Sequence, residues 1–158
     1  MKFSKVLPTL ILVFVCTICT FAQSPVGKWI LKMDGDEDAG KYKNKDIAVI
    51  EFKEAEDRTY YFVVHQVTND YARTCERCPG ELKSRKVDDK STKWGKGFKY
   101  NQKERVFSGG TIVEPSTGKT RNVNMRIIDE NTMELFASYE SGDRKGQERH
   151  IVLSRASR

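Results

Sequence analysis

Two cysteines in the stretch "CERCPGELKSRK", Cys75 and Cys78, carry the most chemistry-like spacing in this chain of 158 residues. Thiols two residues apart can clamp a metal, exchange disulfides or pair with one another. A structural zinc site asks for four ligands, and the only histidines, His65 and His150, lie far away in sequence and inside apolar runs. A thioredoxin-like centre sets its cysteines at the start of a helix in a βαβ unit, where the thiol pKa falls, and Pro79-Gly80 would stop such a helix at once. The remaining reading is a disulfide across a short loop, with Pro79-Gly80 favouring a turn. Around it Glu76, Arg77, Lys83, Arg85 and Lys86 form a charged flank that can meet an anionic group or simply stay solvated.

Other stretches give weaker signals. In "DGDEDAG", Asp34, Asp36 and Asp38 alternate like the first calcium ligands of an EF-hand. Ala39 stands where that loop needs glycine and Lys45 where it needs glutamate, so an acidic hairpin loop is the better reading. "FSGGTIVEPSTGK" is glycine-rich but lacks the spacing and following helix of a phosphate loop. Gly109-Gly110 instead suit a bulge, and Pro115 to Gly118 a turn. No nucleophile with a base, no paired carboxylates and no zincin spacing stand in a recognisable context. The expectation is therefore no catalytic residue, no metal and no cofactor.

The elements that position these residues are short. Residues 1–22 read as a secretory signal peptide: Lys2 and Lys5 precede an apolar run, and Thr20 and Ala22 supply small positions for cleavage after Ala22. Cys16 and Cys19 leave with it, and export to the periplasm or beyond would place Cys75 and Cys78 in an oxidising compartment. Residues 23–158 fit one domain with a single core. The net charge of +6 comes from scattered lysines and arginines, which argues for a solvated surface and against a nucleic-acid groove. No membrane span remains once the leader is removed, and the oligomeric state is not encoded.

Apolar runs rich in β-branched and aromatic residues, each closed by a turn signal, predict strands at 27–32, 46–53, 58–68, 95–101, 106–113, 120–128, 132–139 and 147–155. In "RNVNMRIIDENTMELFASYE", Val123, Met125 and Ile127 share one face, and Met133, Leu135, Ala137 and Tyr139 share one face of the next run. Asp129 to Asn131 joins the two as a hairpin. Eight sequential strands without crossover helices predict an all-β, antiparallel, up-and-down barrel, because closure removes exposed edges; a sandwich is the alternative.

Three features, "VGKW", "CERCPGEL" and "FSGGTIVEPSTGKT", resemble in order the landmarks of the family known as domain of unknown function 2147, small exported bacterial proteins with a lipocalin-like (calycin) barrel. Gly27-Lys28-Trp29 is also similar to the G-x-W that opens lipocalin-type barrels, and this resemblance implies that Trp29 closes one end against Arg155 from the last strand. The chain departs from the family pattern at Glu114, where aspartate is usual before the proline, at Arg121, where an aromatic is common, and in a final strand that lacks tryptophan.

An eight-stranded barrel is just wide enough to be filled or to hold one small ligand. The primary expectation is an exported, non-catalytic protein that binds a small apolar or amphipathic molecule. Candidate lining residues are Tyr61, His65, Trp94, Phe98, Met125 and Tyr139. The rivals are a filled barrel acting as an interaction module, binding a protein or anionic envelope polymer through Arg77, Lys83, Arg85 and Lys86, and a thiol–disulfide redox protein.

Overall fold

The computed structural model describes residues 24–33, 45–68, 71–139 and 145–157. The expected signal peptide and the acidic stretch containing Asp34, Asp36 and Asp38 lie outside the described residues. Eight strands are present: β1 (Gly27–Met33), β2 (Lys45–Glu54), β3 (Tyr60–Val67), β4 (Gly95–Asn101), β5 (Val106–Val113), β6 (Thr120–Ile127), β7 (Thr132–Ser138) and β8 (Glu148–Arg155). Each pairs antiparallel with its sequence neighbours, and β8 returns to β1 through the register Trp29↔Arg155 and Leu31↔Leu153, so the sheet closes as a barrel.

Period-two patterning decides which side chains fill the lumen. In β6, Arg121, Val123, Met125 and Ile127 are buried while the residues between them are exposed. In β7, Met133, Leu135 and Ala137 repeat the pattern. Glycines in β4 and β5 admit large rings from neighbouring strands. A Cβ on Gly95 would run into the ring of Phe62, and one on Gly110 into the ring of Phe98. Gly109 has φ of +73°, and the β5–β6 register shifts between Phe107 and Gly110, so the glycine pair forms the expected bulge.

The up-and-down order sends the β1–β2, β3–β4, β5–β6 and β7–β8 connections to one end and the termini to the other. At the terminal end Trp29 is fully buried, and its indole N–H donates to the carbonyl of Pro25 at 2.7 Å. The Arg155 guanidinium lies 4.2 Å from the Trp29 ring centroid. Its Nε donates to the Glu130 carbonyl at 2.6 Å and its Nη1 to that of Val26 at 3.2 Å. Above this plug Phe52, Phe98, Phe107, Met125, Met133 and Leu153 pack with no more than 2% exposure, and Phe52 meets Phe62 and Phe98 at centroid distances of 5.2 and 6.0 Å. This half of the barrel is solid. Toward the opposite end the described residues leave a pocket.

Candidate functional site

The β3–β4 connection folds across the open end. Cys75 and Cys78 are disulfide-bonded, with Cα atoms 5.4 Å apart. The loop is tied back on itself: Cys75 N–H donates to the Arg85 carbonyl at 3.0 Å, Ser84 N–H to that of Cys75 at 2.8 Å, and Thr74 bridges Lys86. A 3-10 turn at Gly80–Leu82 rounds the corner after Pro79. Its apolar side faces down: Cys75 is 0% exposed, Cys78 4% and Val87 0%. The Cys75 sulfur sits 3.2 Å from the Pro115 carbonyl oxygen. A Cβ on Gly118 would collide with the Arg77 carbonyl, so the loop rests directly on the β5–β6 turn. A glycine is required there twice over, because Gly118 also has φ of +72°.

Beneath the loop is a pocket whose walls are contributed by β1, β2, β3, β5, β6, β7, β8 and the loop itself, through Tyr71, Val87 and Trp94. It offers about 80 Å³ to the centres of water-sized molecules, within about 700 Å³ of free space that includes the open mouth. The smaller figure is the one to set against the roughly 10–15 Å³ a single water requires. Several waters or one compact molecule fit. Leu31, Ile47, Ile50, Val64, Ile112 and Ile151 make the wall mostly apolar.

One sector of the wall is charged. Arg121 of β6 and Arg149 of β8 both occupy the inward parity of their strands, on either side of β7, and are 8% and 6% exposed. Glu114, at the end of β5, joins them: its Oε2 accepts from Arg121 Nη2 at 3.2 Å and its Oε1 from Arg149 Nη1 at 3.4 Å. The Thr117 hydroxyl donates to the same Oε2 at 3.0 Å, which fixes the carboxylate. The Arg121 guanidinium also stacks 4.4 Å above the Tyr139 ring. Small Ala137, paired with Arg149 on one side and Val123 on the other, borders the pocket beside them. Buried charges persist when they are paired and hydrogen-bonded, as these are. Two donors of the wall nonetheless have no acceptor among the described residues: Arg121 Nε and Trp94 Nε1.

The sequence pattern of a family described as "Uncharacterized protein conserved in bacteria (DUF2147)" matches residues 36–141. The chain belongs to this family. The resemblance noted on "CERCPGEL" and its flanking landmarks therefore holds. Among solved structures, the protein HP1028 of Helicobacter pylori, described as belonging to the lipocalin family, superposes with a TM-score of 0.61 at 18% identity, covering 84% of this chain and 82% of that one. At that identity the likeness establishes a lipocalin-like fold. No curated protein matches.

Within this DUF2147 barrel, the residues singled out from the sequence separate into groups. Trp29 and Arg155 meet at the closed end, and Cys75 and Cys78 pair under the loop. Of the six candidate lining residues, Trp94 borders the pocket. Phe98 and Met125 point inward but lie in the solid half, each 0% exposed, and do not reach the pocket wall. Tyr139 is buried beside it, under Arg121. Tyr61 pairs with Lys53 on the outward parity, and Lys93 Nζ lies 4.3 Å over its ring. His65 takes no part in the wall either. Burial, then the positive charges of Lys28 and Lys90, hold its pKa below the usual imidazole value. Two causes account for these positions: Tyr61 and His65 lie on the face of β3 opposite Phe62 and Val64, which border the pocket, while Phe98 and Met125 share the inward face but lie at the depth of the packed half.

Arg77, Lys83, Arg85 and Lys86 are exposed on the outer surface of the loop. Arg85 is engaged locally, with Nε donating to the Glu81 carbonyl at 3.2 Å and Nη1 3.8 Å from Asp89. The disulfide is covered on its inner side, away from any partner that would exchange with it, and exchange requires an accessible sulfur. Among the described residues no group of three or more His, Cys, Asp or Glu side chains could hold a metal ion, and no helix is long and apolar enough to cross a membrane, which says nothing about strands. The residues missed from sequence are Glu114, Arg121 and Arg149. A signal existed, since Arg121 and Arg149 fall on the apolar parity of β6 and β8, where a solvated arginine does not belong.

Proposed function

We propose that this protein is an exported binding protein that holds one small amphipathic molecule in the mouth of its barrel and performs no covalent chemistry. The observation that carries the reading is the pocket itself: an apolar wall above a solid floor, with a fixed ion-paired cluster in one sector. Small-ligand sites have this composition, a mostly hydrophobic lining with a few placed polar groups. Among the described residues the pocket wall has no serine, cysteine or histidine, and its one carboxylate is committed to two arginines. The disulfide supports export, because such bonds persist in oxidising compartments.

Native mass spectrometry of protein taken from its own host, paired with intrinsic tryptophan fluorescence, tests the reading. Trp94 borders the pocket, so an occupant should alter its emission. The expected result is a co-purified small molecule, or a saturable fluorescence change with a compact amphiphile. A chain that carries nothing and responds to no member of a panel of small acids, alcohols, amides and aromatics would overturn it.

A further inference from the structure

The barrel has a second cavity, outside the lumen and independent of the small-ligand reading above. It lies between the disulfide loop and the outer wall of β4 and β5, and offers about 290 Å³ to the centres of water-sized molecules. Leu82 and Arg85 border it from the loop, Lys93 from the segment entering β4, and Lys96 and Thr111, a cross-strand pair on the outward parity, from the sheet. Arg85 is set from two sides, with Nε donating to the Glu81 carbonyl at 3.2 Å and Nη1 3.8 Å from Asp89. Asp89 is itself fixed by the Ser91 hydroxyl at 2.7 Å and the Ser91 N–H at 2.9 Å, which hold its pKa below the usual carboxylate value. These contacts leave Arg85 Nη2 without a partner among the described residues. Lys93 Nζ rests 4.3 Å over the Tyr61 ring, and neither it nor Lys96 meets a carboxylate among the described residues. All three cations are exposed, so an occupant of the cleft can reach them.

Three cations and the Thr111 hydroxyl around one cleft, against the single carboxylate of Glu81 in its wall, call for an anion with more than one charge and more than two acceptor oxygens. A phosphate monoester has both, with a charge of about −1.5 to −2 at pH 7 and three terminal oxygens. A carboxylate brings one charge and two oxygens in a plane, which leaves a cation unmatched. The remainder of the occupant is set by where the cleft leads. Lys93, Lys96 and Thr111 also border a shallow trench that runs past Tyr61, Gly97 and Gly109 to Glu54, Glu56 and Asp57. Neither glycine enters the register of a neighbouring strand, so the floor there is backbone without side chains, open to close approach. The acidic end repels a chain that is anionic along its length. The polar flanks give acyl chains no cover, but suit a neutral body rich in hydroxyls. We propose that the outer cleft binds a soluble phosphate monoester of such a body, a sugar phosphate in class, with the phosphate among Arg85, Lys93 and Lys96 and the body over Gly97 and Gly109.

The test is isothermal titration of glucose 6-phosphate, gluconate and glucose into the purified protein at low salt. Trp94 borders both cavities, so calorimetry rather than its emission is the readout. Glucose 6-phosphate should bind about tenfold more tightly than gluconate, and glucose more weakly than either. Lys93→Gln, Lys96→Gln and Arg85→Gln should each weaken glucose 6-phosphate about three- to fivefold, the range of one exposed ion pair, and the Lys93→Gln, Lys96→Gln double variant about tenfold or more. Lys99→Gln, on the same face of β4 but outside the cleft, should leave the affinity unchanged. The comparison of the three compounds on the unaltered protein needs no variant to fold. Gluconate binding as tightly as glucose 6-phosphate, or Lys96→Gln and Lys99→Gln having equal effects, would overturn the assignment. So would binding to vesicles containing phosphatidic acid with none to the soluble esters, or no binding of glucose 6-phosphate, glycerol 3-phosphate or inorganic phosphate. The lumen reading would survive each of these failures, because its own test uses compact amphiphiles.

Discussion

Replacing Arg155 with methionine tests whether the closed end is held by one guanidinium. The side chain donates to the Glu130 and Val26 carbonyls at 2.6 and 3.2 Å and covers Trp29 at 4.2 Å. Hydrogen bonds from a charged donor contribute about 1.5–3 kcal/mol each, and a cation–π contact about 0.5–2 kcal/mol. Arg155 is only half-buried, so water takes back part of each contribution and the low end of both ranges applies. Methionine keeps an apolar stem over Trp29, and the expected loss is about 2–4 kcal/mol. In urea this is a midpoint shift of about 1–2 M at an unchanged slope. Arg126→Met supplies the contrast. Its 2.8 Å contact with Glu134 is shorter than most, yet the arginine side chain is 51% exposed, and its loss should cost under about 1 kcal/mol. Equal shifts in the two variants, or an Arg155→Met loss below about 1 kcal/mol, would refute the reasoning, because the barrel plug would then hold without its arginine.

Three further outcomes follow from other parts of the molecule. Gly118→Ala forces a Cβ into the Arg77 carbonyl at a φ of +72°, so it should lose at least about 1–3 kcal/mol and lift the disulfide loop, read as a lower melting temperature with altered Trp94 emission; a variant indistinguishable from the parent would show that the loop does not rest on this turn. The double variant Cys75→Ala, Cys78→Ala opens a ring only four residues long and should lose about 2 kcal/mol in urea midpoint analysis while remaining folded; complete unfolding would mean the bond staples the domain rather than one loop. His65 has a depressed pKa, so the unfolded chain binds its proton first, and stability should decline as pH falls from about 6.5 toward the lower folded value. His65→Gln should flatten that part of the pH profile in thermal melts, and an unchanged profile would remove His65 as its source.

Strand existence and order were legible because the apolar runs are short and closed by strong turn signals, with strict alternation in β6 and β7. "RNVNMRI" shows it in seven residues, and the hairpin to "TMELFAS" falls where Asp129 to Asn131 requires it. Depth was not legible. Phe98 and Trp94 are both buried aromatics four residues apart, yet Phe98 in β4 fills the floor and Trp94, just before β4, borders the pocket. Register slips at Val49/Ile50 and at Phe107/Gly110 add to it, since neither can be read from periodicity alone.

The cysteine pair and the charged wall make the same point from opposite directions. Cys75 and Cys78 look reactive in sequence because two thiols at that spacing have many uses, but they are bonded to each other, Cys75 lies against the Pro115 carbonyl, and both are buried. Arg121 and Arg149 look ordinary because arginine is usually a surface residue. The period-two rule overrules that base expectation: a side chain that shares a face with Val123 and Met125, or with Ile151 and Leu153, must enter the lumen. Once there, a guanidinium cannot remain without a partner, so Glu114 and Thr117 are drawn into a fixed network from the β5–β6 turn. The same turn carries Gly118, on which the disulfide loop sits. Loop, turn and arginines therefore form one mechanical unit at the mouth.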